Sequence, residues 1–145
     1  MRLQEIRDIS DTAQIFKWFT RDAEGNRRLG FYADPDQWFK LLSPSRRAWL
    51  VIAEDQPVGF LDVEIDGPTG YLAYYVAPEH RGKGFGALTL RLAVDQARQL
   101  GLTALDGGVE PDNLASIAAL KRAGFHLFPE DAEGMLPTRL EIPLR

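Results

Sequence analysis

The apolar positions fall into three stretches of different rhythm. In the first, Leu3 and Ile6 within residues 2–7 predict a short strand. Ser10 or Asp11 then caps a helix that sets Ile15, Phe16 and Phe19 on one face. Asp34-Pro35-Asp36-Gln37 is a stronger helix start, with an acceptor side chain, a proline at the first helical position and a glutamine at the third. The short helix it opens presents Trp38, Phe39, Leu41 and Leu42. Residues 21–33 between the two helices read as a polar loop interrupted by Phe31 and Tyr32.

The middle stretch has the period of strands. Trp49 to Ala53 is a nearly continuous apolar run, and Glu54-Asp55-Gln56-Pro57 turns the chain. From Val58 the pattern alternates, with Leu61, Val63 and Ile65 on one side and Phe60, Asp62 and Glu64 on the other. A second turn, Gly67-Pro68-Thr69-Gly70, precedes the strand Tyr71 to Ala77, and the short connections predict an antiparallel meander.

The last stretch alternates helix and strand. Leu90, Ala93, Val94, Ala97 and Leu100 recur at helical spacing, with Arg91, Asp95 and Arg98 opposite and Gly101 at the left-handed end. Thr103 to Leu105 begins a strand. Asp112 or Asn113 caps a helix with Leu114, Ile117 and Ala118 inward, ended by Gly124. Phe125 to Phe128 and Thr138 to Pro143 read as the last strands. The prediction is an α+β fold in one domain spanning 1–145, a mixed sheet of about six to seven strands with about four helices.

Composition narrows the chemistry. The 145 residues are 45% hydrophobic with a formal net charge of −4, as in a globular domain without general affinity for nucleic acid. No cysteine is present, which excludes disulfides, thiolate metal sites and a cysteine nucleophile; two histidines offer little to a zinc ion. No run approaches the ~18 apolar residues of a membrane span. Met1-Arg2-Leu3-Gln4-Glu5 lacks the apolar stretch of a secretory signal, so a cytoplasmic, metal-independent protein is expected.

The densest chemical signal is Val76-Ala77-Pro78-Glu79-His80-Arg81-Gly82-Lys83-Gly84-Phe85-Gly86-Ala87-Leu88. A strand enters it and a long amphipathic helix leaves it. The glycines remove Cβ atoms, and the first helical turn leaves N–H groups unpaired at the positive end of the dipole. With Arg81 and Lys83 this makes an anion cradle suited to a diphosphate. Gly82, Gly84 and Ala87 also fit the G-x-G-x-x-A dinucleotide fingerprint, with Asp106 in the place of a ribose-binding acid. Against that, Pro78 to Arg81 intervene after the strand, and too few βαβ units follow.

As R-x-x-G-x-G, the residues Arg81, Gly84 and Gly86 resemble the acyl-CoA loop of the GNAT superfamily of N-acetyltransferases. Val76-x-Pro78 before it, Asn113-x-x-Ser116 and Lys121-x-x-Gly124-Phe125 after it, and the order of elements resemble the same family. The resemblance implies an acetyl-CoA-dependent transferase acting on a primary amine. In it the backbone of Arg81, Gly82, Lys83, Gly84, Phe85 and Gly86 holds the diphosphate of CoA. The amide of Val76 or its neighbour donates to the thioester oxygen, and Asn113 and Ser116 lie along the pantetheine arm. The alternative is an acyl-CoA-binding sensor that no longer transfers; whether the chain forms a homodimer is open.

An alkylammonium with a pKa near 10.4 must lose its proton before it attacks, for which a carboxylate is suited. Gly70 and Tyr71 stand where the family places its acid, so Glu64, or less favourably Asp62, is the candidate base. Leu120 occupies the place of the family's proton-donating tyrosine. Ser116, Tyr74 and Tyr75 are the candidate substitutes, unless the thiolate leaves unprotonated at a cost of about 2 kcal/mol. Trp18, Phe31, Tyr32, Trp38 and Phe39 are candidates to line an acceptor pocket, with Asp22 and Glu24 attracting a cation.

Overall fold

The computed structural model describes residues 1–143. Its strands are β1 (Arg2–Glu5), β2 (Arg46–Ala53), β3 (Gln56–Asp66), β4 (Thr69–Val76), β5 (Ala104–Val109), β6 (His126–Leu127) and β7 (Leu136–Glu141). They form one sheet in the order β1-β2-β3-β4-β5-β7-β6. The helices are α1 (Ala13–Phe19), α2 (Ala23–Leu29), α3 (Pro35–Phe39), α4 (Phe85–Gln99) and α5 (Leu114–Arg122). The meander β2-β3-β4 is antiparallel, as its turns predict, and β4 pairs with β5 in parallel because α4 carries the chain back between them.

Each face of the sheet has its own core. Ile15, Trp18, Phe19, Tyr32 and Trp38, from α1, α3 and the segment between α2 and α3, pack on Ala48, Leu50, Phe60 and Tyr75. On the other face, Leu90, Ala93 and Ala97 of α4 and Leu120 of α5 pack on Leu61, Val63, Leu105 and Val109. Asp62 lies inside the first core, where it accepts hydrogen bonds from Tyr32 Oη at 2.6 Å, Arg46 Nη2 at 3.0 Å and Trp38 Nε1 at 3.4 Å. It stitches the turn before α3, and α3 itself, to the sheet.

Three expectations are corrected. Residues 23–29 form α2 rather than a loop; the helix has no apolar stripe and is held by its cap Asp22 and by ion pairs. The first cap is Asp8, which starts the 3-10 turn Ile9–Thr12 leading into α1, with Asp11 reciprocating in a capping box. Phe16 is 53% exposed and Leu114 74% exposed, so neither joins a core. The described residues form five α-helices, in keeping with the expected number of about four. No helix of the described residues is long and apolar enough to cross a membrane.

Candidate active site

The site begins where β4 and β5 part. They pair only at Thr69–Ala104, Gly70–Leu105 and Tyr71–Asp106. Beyond Tyr71 the facing edge of β4 has no strand beside it. On the other side of β4, the Ala77 N–H donates to Val58 O at 2.8 Å while Val76 stands opposite Gly59. Antiparallel alternation therefore turns the main-chain groups of Tyr74 and Val76 toward the gap.

The chain leaves β4 through the 3-10 turn Pro78–His80 and enters α4 at Gly84. Gly82 and Gly84 have φ of 77° and 85°, a left-handed backbone that glycine adopts without strain. A Cβ on either would meet no protein atom within 4 Å; it would stand in the cleft that both residues line. The amides of Gly82, Lys83, Gly84, Phe85, Gly86 and Ala87 donate to no protein acceptor among the described residues. The first bond into α4 is Leu88 N–H to Gly84 O at 3.3 Å. This row of free donors, with Lys83 beside it, fits a diphosphate.

A cleft of about 460 Å³ fills the gap. Of the residues anticipated from the sequence, Tyr74, Val76, Arg81, Gly82, Gly84, Phe85, Gly86, Asn113 and Ser116 all line it. Tyr74 Oη and Ser116 Oγ share a hydrogen bond of 2.7 Å. Burial raises the Tyr74 hydroxyl above its ordinary pKa, with the Ser116 bond opposing, so Tyr74 keeps its proton at neutral pH. Asn113 caps α5 with its side-chain oxygen on Ser116 N–H at 3.3 Å; its Nδ2 is left for another partner.

The two candidate bases separate. Asp62 is corrected as a base: it is buried, holds three side-chain donors and does not line the cleft. Glu64 also lies outside the cleft lining, but its side chain is 62% exposed, with Arg46 Nη1 at 3.5 Å. It is the cross-strand neighbour of Tyr71, at the closed end of the gap. Leu120 is a core residue, turned away from the cleft. Of the aromatic group, Trp18, Tyr32 and Trp38 are core and Phe39 packs against them, while Phe31 is 51% exposed beneath the Arg46 guanidinium.

From this region the sequence offered only Asp22 and Glu24, in what read as a loop. Glu24, Gly25, Arg28 and Leu29 of helix α2 line the cleft, and Arg28 Nη1 reaches across to Glu110 at 3.1 Å and Asp112 at 3.0 Å beyond β5. Pairs so distant along the chain leave no local signal. At its other end Asp22 is buried and accepts from Arg81 Nη2 at 2.6 Å, Tyr75 Oη at 2.7 Å and Gly25 N–H at 3.0 Å. Burial alone would raise the Asp22 pKa, but these donors outweigh it and hold the group below the ordinary carboxylate value. The stability it lends is therefore present above the pKa of an unfolded aspartate and is lost only as pH falls through the lower folded value.

A model described as "Acetyltransferase (GNAT) family" matches residues 12–125. The Bacillus subtilis (strain 168) protein named Probable N-acetyltransferase YjcK is 41% identical over 59 residues, 40% of this chain and 33% of that one. An L-methionine sulfoximine/L-methionine sulfone acetyltransferase of Pseudomonas paraeruginosa (strain DSM 24068 / PA7) is 30% identical over 102 residues. That match covers 70% of this chain and 59% of the relative, so the chain spans only part of either protein's length. Among solved structures, aminoglycoside acetyltransferase AAC(6')-Ib in complex with coenzyme A superposes with a TM-score of 0.81 at 16% identity, covering 97% of this chain and 94% of that one, a likeness of fold. The family match spans the open strand edge, the glycine loop and the start of α5 alike: the chain belongs to the GNAT family of acetyltransferases.

Proposed function

We propose that the protein transfers the acetyl group of acetyl-CoA to a primary amine. The observation that carries this reading is the unpaired edge of β4 running straight into a loop of amides with no acceptor. Acetyl-CoA supplies the activated acyl carbon as a thioester; the chain binds, orients and moves protons. The amides from Gly82 to Ala87 and the Lys83 ammonium hold the diphosphate; the Arg81 N–H, expected among them, donates to Pro78 O at 3.3 Å instead. The main-chain groups of Tyr74 and the free Nδ2 of Asn113 take the pantetheine arm as an added strand would be taken, the Val76 carbonyl being held by Arg81 Nε–H. The Val76 N–H donates to the carbonyl oxygen as charge gathers there.

Proton traffic divides between the two faces of the sheet. On the face of α1 to α3, Glu64 accepts the proton of the incoming ammonium through a chain of waters. On the face of α5, the Tyr74–Ser116 pair gives a proton to the departing sulfur and is restored by the second proton that the nitrogen loses as the amide forms. The amine nitrogen gains the acetyl carbon, the carbon–sulfur bond breaks, and CoA leaves as a thiol. The cytoplasm, where the cofactor is held, is the expected compartment.

Release of free CoA with a panel of amines (amino acids, polyamines, aminoglycosides and peptide N-termini) tests the reading. Turnover well above hydrolysis with at least one amine is expected. Glu64→Gln should then lower kcat by about a hundredfold near neutral pH. The deficit should shrink as pH rises, because a free amine needs no base. Tyr74→Phe and Ser116→Ala should each lower kcat without weakening CoA binding. CoA binding with no turnover above hydrolysis across the whole panel would reject transfer and leave a CoA-binding module.

A further inference from the structure

The side chain that opens the loop motif is already engaged. Arg81 Nε–H donates to the Val76 carbonyl at 2.9 Å, Nη2 lies 2.6 Å and Nη1 3.5 Å from the Asp22 carboxylate, and the guanidinium sits 5.3 Å over the Tyr75 ring. Asp22 is the cap of α2, and a Cβ on Gly25 would collide with its carboxylate, so this position of α2 requires glycine. A second link, Arg21 Nη2 to Glu79 Oε1 at 2.9 Å, joins the same α1–α2 turn to the 3-10 turn after β4. The cofactor loop and the helix that walls the other side of the cleft are thus fastened to each other at two points.

We propose that Arg81 and Asp22 are a pair of positioning residues for the transfer: together they set α2 against the cofactor loop and fix the direction of the Val76 main chain. The positive charge offered to a diphosphate comes instead from Lys83 and the backbone amides. The inference rests on the transfer reading above. Drawing Arg81 onto an anion would strip a buried carboxylate of its only cationic partner among the described residues, a far larger cost than recruiting exposed Lys83. Val76 turns two groups toward the gap, and holding its carbonyl fixes where its N–H points. Glu24, Arg28 and Leu29 line the cleft from α2, so loosening the pair moves the wall that meets the acceptor.

Three variants test the pair: Arg81→Gln, Asp22→Asn, which keeps the size of the side chain, and Gly25→Ala, which displaces the carboxylate without removing a charge. Each is compared with wild type by calorimetry with CoA, by kcat and KM for an amine that wild type acetylates, and by hydrogen exchange of the amides of residues 23–29. We expect about a tenfold or greater loss in kcat over acceptor KM, CoA affinity within about threefold of wild type, and faster exchange in α2. The double variant Arg81→Gln/Asp22→Asn should be no worse than its poorer single, since both remove one contact. CoA affinity lost tenfold in Arg81→Gln but kept in Asp22→Asn, with acceptor parameters unchanged, would show an ordinary diphosphate ligand and overturn the proposal. If wild type binds no CoA, the transfer reading fails, and the exchange arm alone decides the pair: unchanged α2 protection in Asp22→Asn overturns it.

Discussion

Gly84→Glu is expected to weaken CoA binding at least about a hundredfold while leaving the fold in place. Two effects add. The residue caps α4 with φ of 85°, where a side chain costs about 1–3 kcal/mol of backbone strain. The larger effect is the carboxylate itself, because a Cβ here meets no protein atom within 4 Å and the residue lines the cleft. A negative group there faces the negative ligand and competes for the same amides. Its charge suits the positive end of α4, which is why folding should survive. Calorimetry of Gly84→Glu beside Gly84→Ala separates the effects: alanine carries the strain alone and should lose far less affinity. Equal affinity of Gly84→Glu and wild type would remove the loop from the cofactor site.

Asp62→Ala should lower stability by about 3–5 kcal/mol, the largest change expected of any single residue outside the cleft. The substitution leaves the Arg46 guanidinium, half-covered by Phe31, without its buried partner, and strands the hydroxyl of Tyr32 and the indole N–H of Trp38 in an apolar core. Asp62→Asn keeps the shape but not the charge, and should fall between. Urea unfolding measures both. Because Asp62 holds the core rather than the chemistry, the folded fraction of Asp62→Asn should turn over within about threefold of wild type. A hundredfold loss of kcat with normal stability would return Asp62 to the role of base in place of Glu64.

The contrast between these carboxylates shows where reading a sequence stops. Alternation along β3 puts Asp62 and Glu64 on the same face, which is correct, yet one is sealed and the other open. What separates them is Tyr32, Trp38 and Arg46 arriving from elsewhere, and no local pattern encodes that. The meander and α4 were legible because their periodicity runs for many residues between glycine and proline turns; Leu90, Ala93 and Ala97 are buried where the spacing put them. The glycine loop was legible because its backbone turns left-handed at Gly82 and Gly84, which calls for that residue. Helix α2 was not, since Ala23–Leu29 has no apolar face and depends on partners as distant as Arg81 and Glu110. Phe16 and Leu114 misled for the opposite reason: both sit at apolar positions of a helix face that nothing covers.

The parting of β4 from β5 has a consequence for the life of the protein as well as for its reaction. An empty molecule carries an unzipped seam through the middle of its sheet, and local opening starts where neighbours are missing. A molecule with its seam closed by the cofactor gains about 2.7 kcal/mol when the nucleotide stands at a hundred times its dissociation constant. Digestion by a broad-specificity protease should accordingly slow in step with added CoA, with the first cuts in the free chain falling near the seam; cleavage indifferent to CoA would contradict this. The abundance of such a chain would then follow the total supply of coenzyme A, acetylated or free.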